Sequence, residues 1–155
     1  MIEIFRKVLV PTDFSSGYEG AVVKFERTNS LPVREVLLLH VVDEGEIELL
    51  EDSMEFEQRD KKSIEEELIR LAEQRLEGEK ERIRKAFDTD NVRVLVRVGI
   101  LWEEIVKITE EEEVSVIFLP THGKLGFSGE LLGSTTMRVI KKTTRPVLLL
   151  KSGGN

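Results

Sequence analysis

Apolar positions along this chain fall into short runs that alternate between two periods. Val8-Leu9-Val10 is a brief run stopped by Pro11, which predicts a buried strand from about Phe5 to Pro11. Ser16-Gly17-Tyr18-Glu19 has the S-x-x-E spacing of a capping box. Tyr18, Ala21, Val22 and Phe25 follow at helical spacing, so a first helix of about 13 residues is expected, ended by Asn29-Ser30-Leu31-Pro32. Glu35 to Val42 is an unbroken apolar strand of the kind buried on both faces of a parallel sheet. Asp43 to about Asp60 is acidic and contains Gly45, and reads as a solvated loop or helix start. Ile64, Leu68, Leu71, Ala72, Leu76, Ile83 and Phe87 trace one stripe on a long helix that Gly78 weakens, before the turn cluster Asp88-Thr89-Asp90-Asn91.

Val92 to Val98 alternates as a third strand ended by Gly99. Trp102, Ile105, Val106 and Ile108 mark a short helix. The acidic run Glu110 to Glu113 at its end opposes the helix dipole, so it is expected to be exposed and frayed. Val114 to Leu119 is a fourth strand ended by Pro120. A polar, glycine-rich stretch runs from Thr121 to Leu132. Ser134 to Thr143 reads as a helix with Met137, Val139 and Ile140 facing inward, and Pro146 to Lys151 is the last strand. Strands alternating with helices predict an α/β fold: a five-stranded open parallel sheet with helices on both faces, Rossmann-like, in the strand order 3-2-1-4-5. In such a sheet, ligands bind outside the carboxyl ends of the strands, where the winding direction changes.

Composition narrows the classes. The 155 residues are 40% hydrophobic, enough for one core, which suggests a single domain over 1–151 and a loose tail over 152–155. The net charge of -7 speaks against a general nucleic-acid binder. With no cysteine, disulfides, thiolate metal sites and a cysteine nucleophile are excluded; two histidines make a His-rich metal site a poor expectation. No apolar run approaches the roughly 18 residues of a membrane span, and the N-terminus carries no signal-peptide pattern, so a cytoplasmic location with no membrane partner is expected.

Two carboxyl-end loops carry candidate chemistry. Pro11-Thr12-Asp13-Phe14-Ser15-Ser16 sets a hydroxyl and a carboxylate beside a helix start. The stretch from Thr121 to Thr136 holds four glycines, with three hydroxyls following the last of them. Glycines let backbone amides approach a ligand, and a helix N-terminus favours anions, so the pair suits nucleotide phosphates. The same residues also have a plainer reading as turn glycines and a Ser134 N-cap. The loop is not a Walker A sequence. Asp13 reads equally as a turn residue, His40 as a core histidine with its bond satisfied, and Trp102 as packing. No nucleophile and base fall together, so no catalytic residue is named.

Thr121-His122-Gly123, nine residues, then Gly133-Ser134 resembles the nucleotide loop of the universal stress protein family, G-x-x-G, nine residues, then G-[ST]. Val8 to Ser15, Leu38 to Val42 and Arg145 to Leu150 resemble that family's opening, second and final strands, so the likeness spans nearly the whole chain. The resemblance implies a regulatory domain that binds an adenine nucleotide, ATP or AMP, with Mg2+ accompanying a triphosphate. Pro11 and Thr12 would line the adenine end and Val41 would contact the base. Asp13 would lie near the ribose and reach the metal only indirectly, through the phosphate-bound cation. Leu119 and Pro120 would complete the crevice. His122, Gly123, Gly133, Ser134, Thr135 and Thr136 would approach the phosphates. It further implies a homodimer through the Pro146–Lys151 edge strand.

One departure is that the motif's first glycine falls on Pro120, which has no N–H. Weakened ATP binding, a shift towards AMP and loss of nucleotide all stay open. A dimeric interaction protein without nucleotide is the alternative function, and a slow ATPase a further one.

Overall fold

The computed structural model describes residues 3–28, 32–52, 60–120, 127–128 and 131–150. Its main sheet has five strands: β1 (Lys7–Pro11), β2 (Glu35–Asp43), β3 (Val92–Gly99), β4 (Val116–Pro120) and β7 (Val147–Leu150). All four pairings are parallel, in the order β3-β2-β1-β4-β7. The last strand is the fifth of this sheet, so the expected order 3-2-1-4-5 is the observed one. Two short strands, β5 (Phe127–Ser128) and β6 (Leu131–Leu132), form a separate antiparallel pair inside the glycine-rich stretch. The helices are α1 (Ser16–Thr28), α2 (Glu44–Glu51), α3 (Lys61–Phe87), α4 (Leu101–Glu111) and α5 (Ser134–Lys142).

Strand alternation sorts the core into two layers. Val8 and Val10 of β1 and Val36 and Leu38 of β2 pack with Tyr18, Phe25, Leu76, Ile83 and Phe87 of α1 and α3. Leu9, Leu37, Leu39 and Val41 point to the opposite face, against Ile105 and Ile108 of α4 and Val139 of α5. In the first layer Phe25 stacks on Phe87 at 4.5 Å, and Phe118 meets Phe87 edge-on at 5.5 Å. Such geometry contributes about 0.5–1.5 kcal/mol per pair beyond burial.

Several local expectations change. The first strand begins at Lys7, because Glu3–Phe5 forms a single 3-10 turn. Ser15 rather than Ser16 caps α1: its Oγ accepts from Tyr18 N at 3.3 Å, while Glu19 reaches across to Arg82 at 2.8 Å and does not fold back to the cap. Helix α3 runs unbroken through Gly78, where only open space surrounds the absent side chain. Its Leu71 leaves the buried stripe and is exposed. In α5 only Val139 of the three expected apolar residues is buried; Met137 and Ile140 face outward, and Thr136 takes the inward position. Gly133, not Ser134, holds the N-cap position, and no side chain caps that helix. Among the described residues, no helix is long and apolar enough to cross a membrane.

Candidate functional site

The parallel sheet sets the carboxyl ends of β1, β2 and β4 along one rim. Winding proceeds from β1 to β3 on one side and returns through β4 to β7 on the other, so the switch point lies between β1 and β4. At the end of β1, Thr12 N donates to Leu39 O at 2.8 Å and extends the ladder by one residue. The chain then reverses. Thr12 Oγ1 accepts from Phe14 N, and Asp13 Oδ1 accepts from Ser15 N, both at 2.9 Å. These two turns hold Phe14 at φ 62°, in the left-handed region that bulky residues avoid. Contacts to its ring help hold it there: His40 lies 4.7 Å from the ring, and the Arg75 guanidinium carbon lies 4.3 Å from its centroid.

His40 is satisfied, as its sequence context suggested. Its Nδ1 donates to the Thr12 carbonyl at 2.8 Å, since a carbonyl can only accept. It is also half-buried and forms part of a cavity wall, a role the sequence reading did not give it.

That cavity, of about 640 Å³, opens above the ends of β1 and β2. Thr12, Asp13, His40 and Val41 form its floor and Leu101, at the start of α4, one side. Helix α2 supplies the rest through Gly45, Glu46, Glu48 and Leu49, flanked by Asp43 and Asp52. Asp43 Oδ1 caps this helix by accepting from Gly45 N at 2.8 Å, and the wholly buried Ile47 anchors it. The acidic segment thus opens as a helix, one of the two forms expected for it, and residues 43–52 wall the cavity. A second cavity of about 260 Å³ on the α3 side shares Asp13, His40 and Glu46 with the first.

Of the residues expected to bind nucleotide, Thr12, Asp13 and Val41 meet at the large cavity. Pro11 ends the strand beneath them. Leu119 belongs to the same apolar cluster as Val41 and Val139, which puts the end of β4 and the body of α5 on one face of the sheet with the cavity's floor. Neither Pro120 nor Gly133, Ser134, Thr135 or Thr136 is among the described lining residues; they stand at the end of β4 and in the first turn of α5. His122 and Gly123 lie outside the described residues, as do Lys151 and the tail from 152 to 155.

The sheet explains how a proline fits at position 120. Ile117 N donates to Pro146 O, so alternation turns the nitrogen of residue 120 towards β1. The assigned β1–β4 pairing has already ended at Leu9 and Ile117. The missing N–H therefore removes no rung of the ladder and faces the side of the switch point.

Asp43, Gly45, Glu46, Glu48, Leu49, Asp52 and Leu101 were missed as wall residues. The signal available was Asp43 two residues before Gly45, a cap pattern at the start of a helix. Away from the cavity, at the junction of α1 and α3, burial raises the Tyr18 phenol above its ordinary range, helped by Glu79 and Glu19. Burial also raises Glu79, which shares a hydrogen bond with Glu19. This cluster joins two helices.

A doubly wound sheet with a cavity at its carboxyl rim defines an α/β domain of the class in which ligand sites lie at that rim. The sequence model of the Universal stress protein family matches residues 4–151. Universal stress protein MJ0577 of Methanocaldococcus jannaschii is 37% identical over 166 residues, covering 97% of this chain and 98% of that one. Its solved structure superposes with a TM-score of 0.76, covering 98% of this chain and 99% of that one. The solved hypothetical protein PH0823 is 49% identical, with a TM-score of 0.83 over 97% of this chain and 99% of that chain. The chain belongs to the universal stress protein family. The fold is shared by a universal stress protein solved with cAMP (18% identity, TM-score 0.59, 96% of this chain and 98% of that one). It is shared as well by one from Archaeoglobus fulgidus solved with dAMP (19%, TM-score 0.54, 96% and 99%).

Proposed function

We propose that this chain is a regulatory domain that binds an adenine nucleotide, ATP or AMP, at the carboxyl rim of its sheet and acts as a homodimer. The observation that carries this reading is the meeting of Thr12, Asp13 and Val41 on one cavity of about 640 Å³, a volume in the range of small-molecule sites. Family members solved with cAMP and with dAMP support it. In this reading Val41 contacts the base, Asp13 accepts from the ribose hydroxyls, and the phosphates run towards Gly133, Ser134 and Thr135 with help from His122 and Gly123. No acidic residue stands in the first turn of α5, which leaves its dipole favourable to an anion. Among the described residues no group of three His, Asp or Glu side chains is arranged to hold a metal. Mg2+ would therefore be carried on the phosphates of ATP, with Asp13 acting on it only through them. The homodimer would form on β7, the last strand of the sheet, whose four residues are all half-buried.

Titration calorimetry with ATP, ADP and AMP, with and without Mg2+, tests the reading. Binding of at least one of them in the micromolar range is the expected result. A flat trace with all three favours instead a ligand-free interaction protein of the same fold. Pro120→Gly is expected to tighten binding, because it restores a donor and frees space on the side facing the switch point. A recovered hydrogen bond is worth about 1–3 kcal/mol, or roughly 5- to 150-fold. An unchanged affinity removes residue 120 from the site.

A further inference from the structure

The least comfortable backbone at the carboxyl rim is that of Phe14. Its φ of 62° lies in the left-handed region, which a glycine enters freely and a bulky residue avoids. Such a conformation persists only where its surroundings over-determine it. Two restraints come from the loop itself: Phe14 N donates to Thr12 Oγ1 and Ser15 N donates to Asp13 Oδ1, both at 2.9 Å. These act on the backbone and would serve a glycine equally. Two more act on the ring. His40 of β2 lies 4.7 Å from it, and the Arg75 guanidinium carbon of α3 lies 4.3 Å from its centroid. Arg75 makes no hydrogen bond or ion pair with another described residue, although Glu79, one turn further along α3, feels its charge. Among the described residues, the Phe14 ring is what this exposed guanidinium rests on.

Resting on the nucleotide reading above, we infer that Arg75 is a positioning residue: held over the Phe14 ring, it keeps the loop after β1 in its left-handed turn and so aims the Asp13 carboxylate into the large cavity. Arg75 is not among the described lining residues of that cavity. It borders the smaller one of about 260 Å³ with Phe14, Leu68, Leu71 and Ala72, whereas Asp13 borders both. An effect of Arg75 on a ligand in the large cavity therefore passes through the loop. One Asp13 oxygen accepts from Ser15 N, so the carboxylate faces a ligand only in the direction that this turn sets. If residue 14 left the left-handed region, Ser15 N would swing away and Asp13 would lose the bond that orients it. A cation over an aromatic face is attracted by the negative charge of the ring's π system. A neutral side chain loses that attraction, whereas a lysine keeps the charge without the flat fit of the guanidinium.

Calorimetry with adenosine, AMP and ATP with Mg2+ is run on wild type, Arg75→Gln and Arg75→Lys, each also in an Asp13→Ala background. Amide hydrogen exchange at Ser15 is followed in the ligand-free proteins. Arg75→Gln replaces an exposed side chain and carries little risk to folding. It should weaken all three ligands by about fivefold, as expected for losing an exposed cation over a ring, and speed exchange at Ser15 N. Arg75→Lys should restore most of the affinity. In the Asp13→Ala background both substitutions should change nothing, because the group they position is gone. Adenosine carries no charge, so a loss confined to AMP and ATP would show Arg75 attracting phosphate through space and overturns the positioning role. So does a loss that persists without Asp13, an affinity equal to that of wild type, or a Ser15 amide that exchanges no faster. Each of these leaves nucleotide binding standing. Wild type that binds none of the three ligands overturns the nucleotide reading, and the positioning role with it.

Discussion

At the amino edge of the sheet, Lys7 lies 3.0 Å from Glu112 and 3.9 Å from Glu35, and Arg93 lies 2.9 Å from Glu35 and 2.5 Å from Glu112. Ser115 Oγ accepts from Lys7 N at 2.9 Å and lies 2.7 Å from the Ile4 carbonyl. At the carboxyl edge, five carboxylates surround a cavity with no Lys or Arg among its described lining. One edge brings opposite charges together and ties the starts of β1, β2 and β3 to the end of α4. The other gathers like charges around open space and leaves the Leu49 side chain in water. Charges that satisfy one another within the chain are expected to act on stability and not on binding. In the nucleotide reading proposed above, the acceptors that rim the cavity meet donors of the ligand. Substitutions at the two edges should therefore separate into a set that changes binding and a set that changes stability.

The largest effect is expected at the carboxyl edge. Asp13→Ala removes the carboxylate proposed to accept from the ribose, and affinity for the adenine nucleotide should fall roughly 30-fold, about 2 kcal/mol. Its carboxylate also holds the turn through Ser15 N, so the melting temperature should fall as well, by about 4 °C. Calorimetry and a thermal melt on the same sample check both. A variant that unfolds easily yet binds normally would erase the contrast between the edges.

The converse substitution is Ser115→Ala. It leaves the part-buried Lys7 N without its acceptor, and an unsatisfied backbone donor costs about 1–2 kcal/mol. A chain of this length should lose roughly 3–6 °C in melting temperature. Nucleotide affinity should stay within twofold of wild type. A comparable loss of affinity would show that the two edges are coupled through β1.

The fold was legible because strand and helix periods are local properties of the chain. Leu37 to Val42 and the stripe from Ile64 to Phe87 carry their own period, and alternation of the two fixes a doubly wound sheet. The candidate cavity was half legible. Thr12, Asp13 and Val41 belong to segments with a distinctive loop and strand. Leu49 and Leu101 come from two helices that line one cavity only because β2 and β3 are neighbours, and nothing local marks either residue. Met137 and Ile140 were misplaced for a related reason. In a nine-residue helix several apolar stripes fit the same sequence, and contact with α4 chose the one through Thr136 and Val139. The acidic run from Glu110 to Glu113 looked unfavourable beside its own helix dipole. Its partners, Lys7 and Arg93, stand on strands far away in the sequence.

Glu112→Gln should have the smallest effect, and it sharpens the contrast through pH. Hydrogen bonds from Arg93 first, and then from Lys7, hold the Glu112 carboxyl below the usual carboxylate range. A carboxylate whose folded value is depressed contributes stability that is fully present above the unfolded value, near about 4.3, and is lost as pH falls through the lower folded value. Because Glu112 is partly exposed, the pair is worth only about 0.5–1 kcal/mol. Wild type should exceed the glutamine variant by that amount in urea denaturation at pH 7 and pH 5, and the gap should narrow as the pH falls below the unfolded value and through the lower folded one. Added salt should narrow it as well, since partly exposed charges are screened. A gap that persists at low pH would mean that Glu112 acts by shape or hydrogen bonding alone, and that the amino edge is held by the Ser115 bonds and not by its charges.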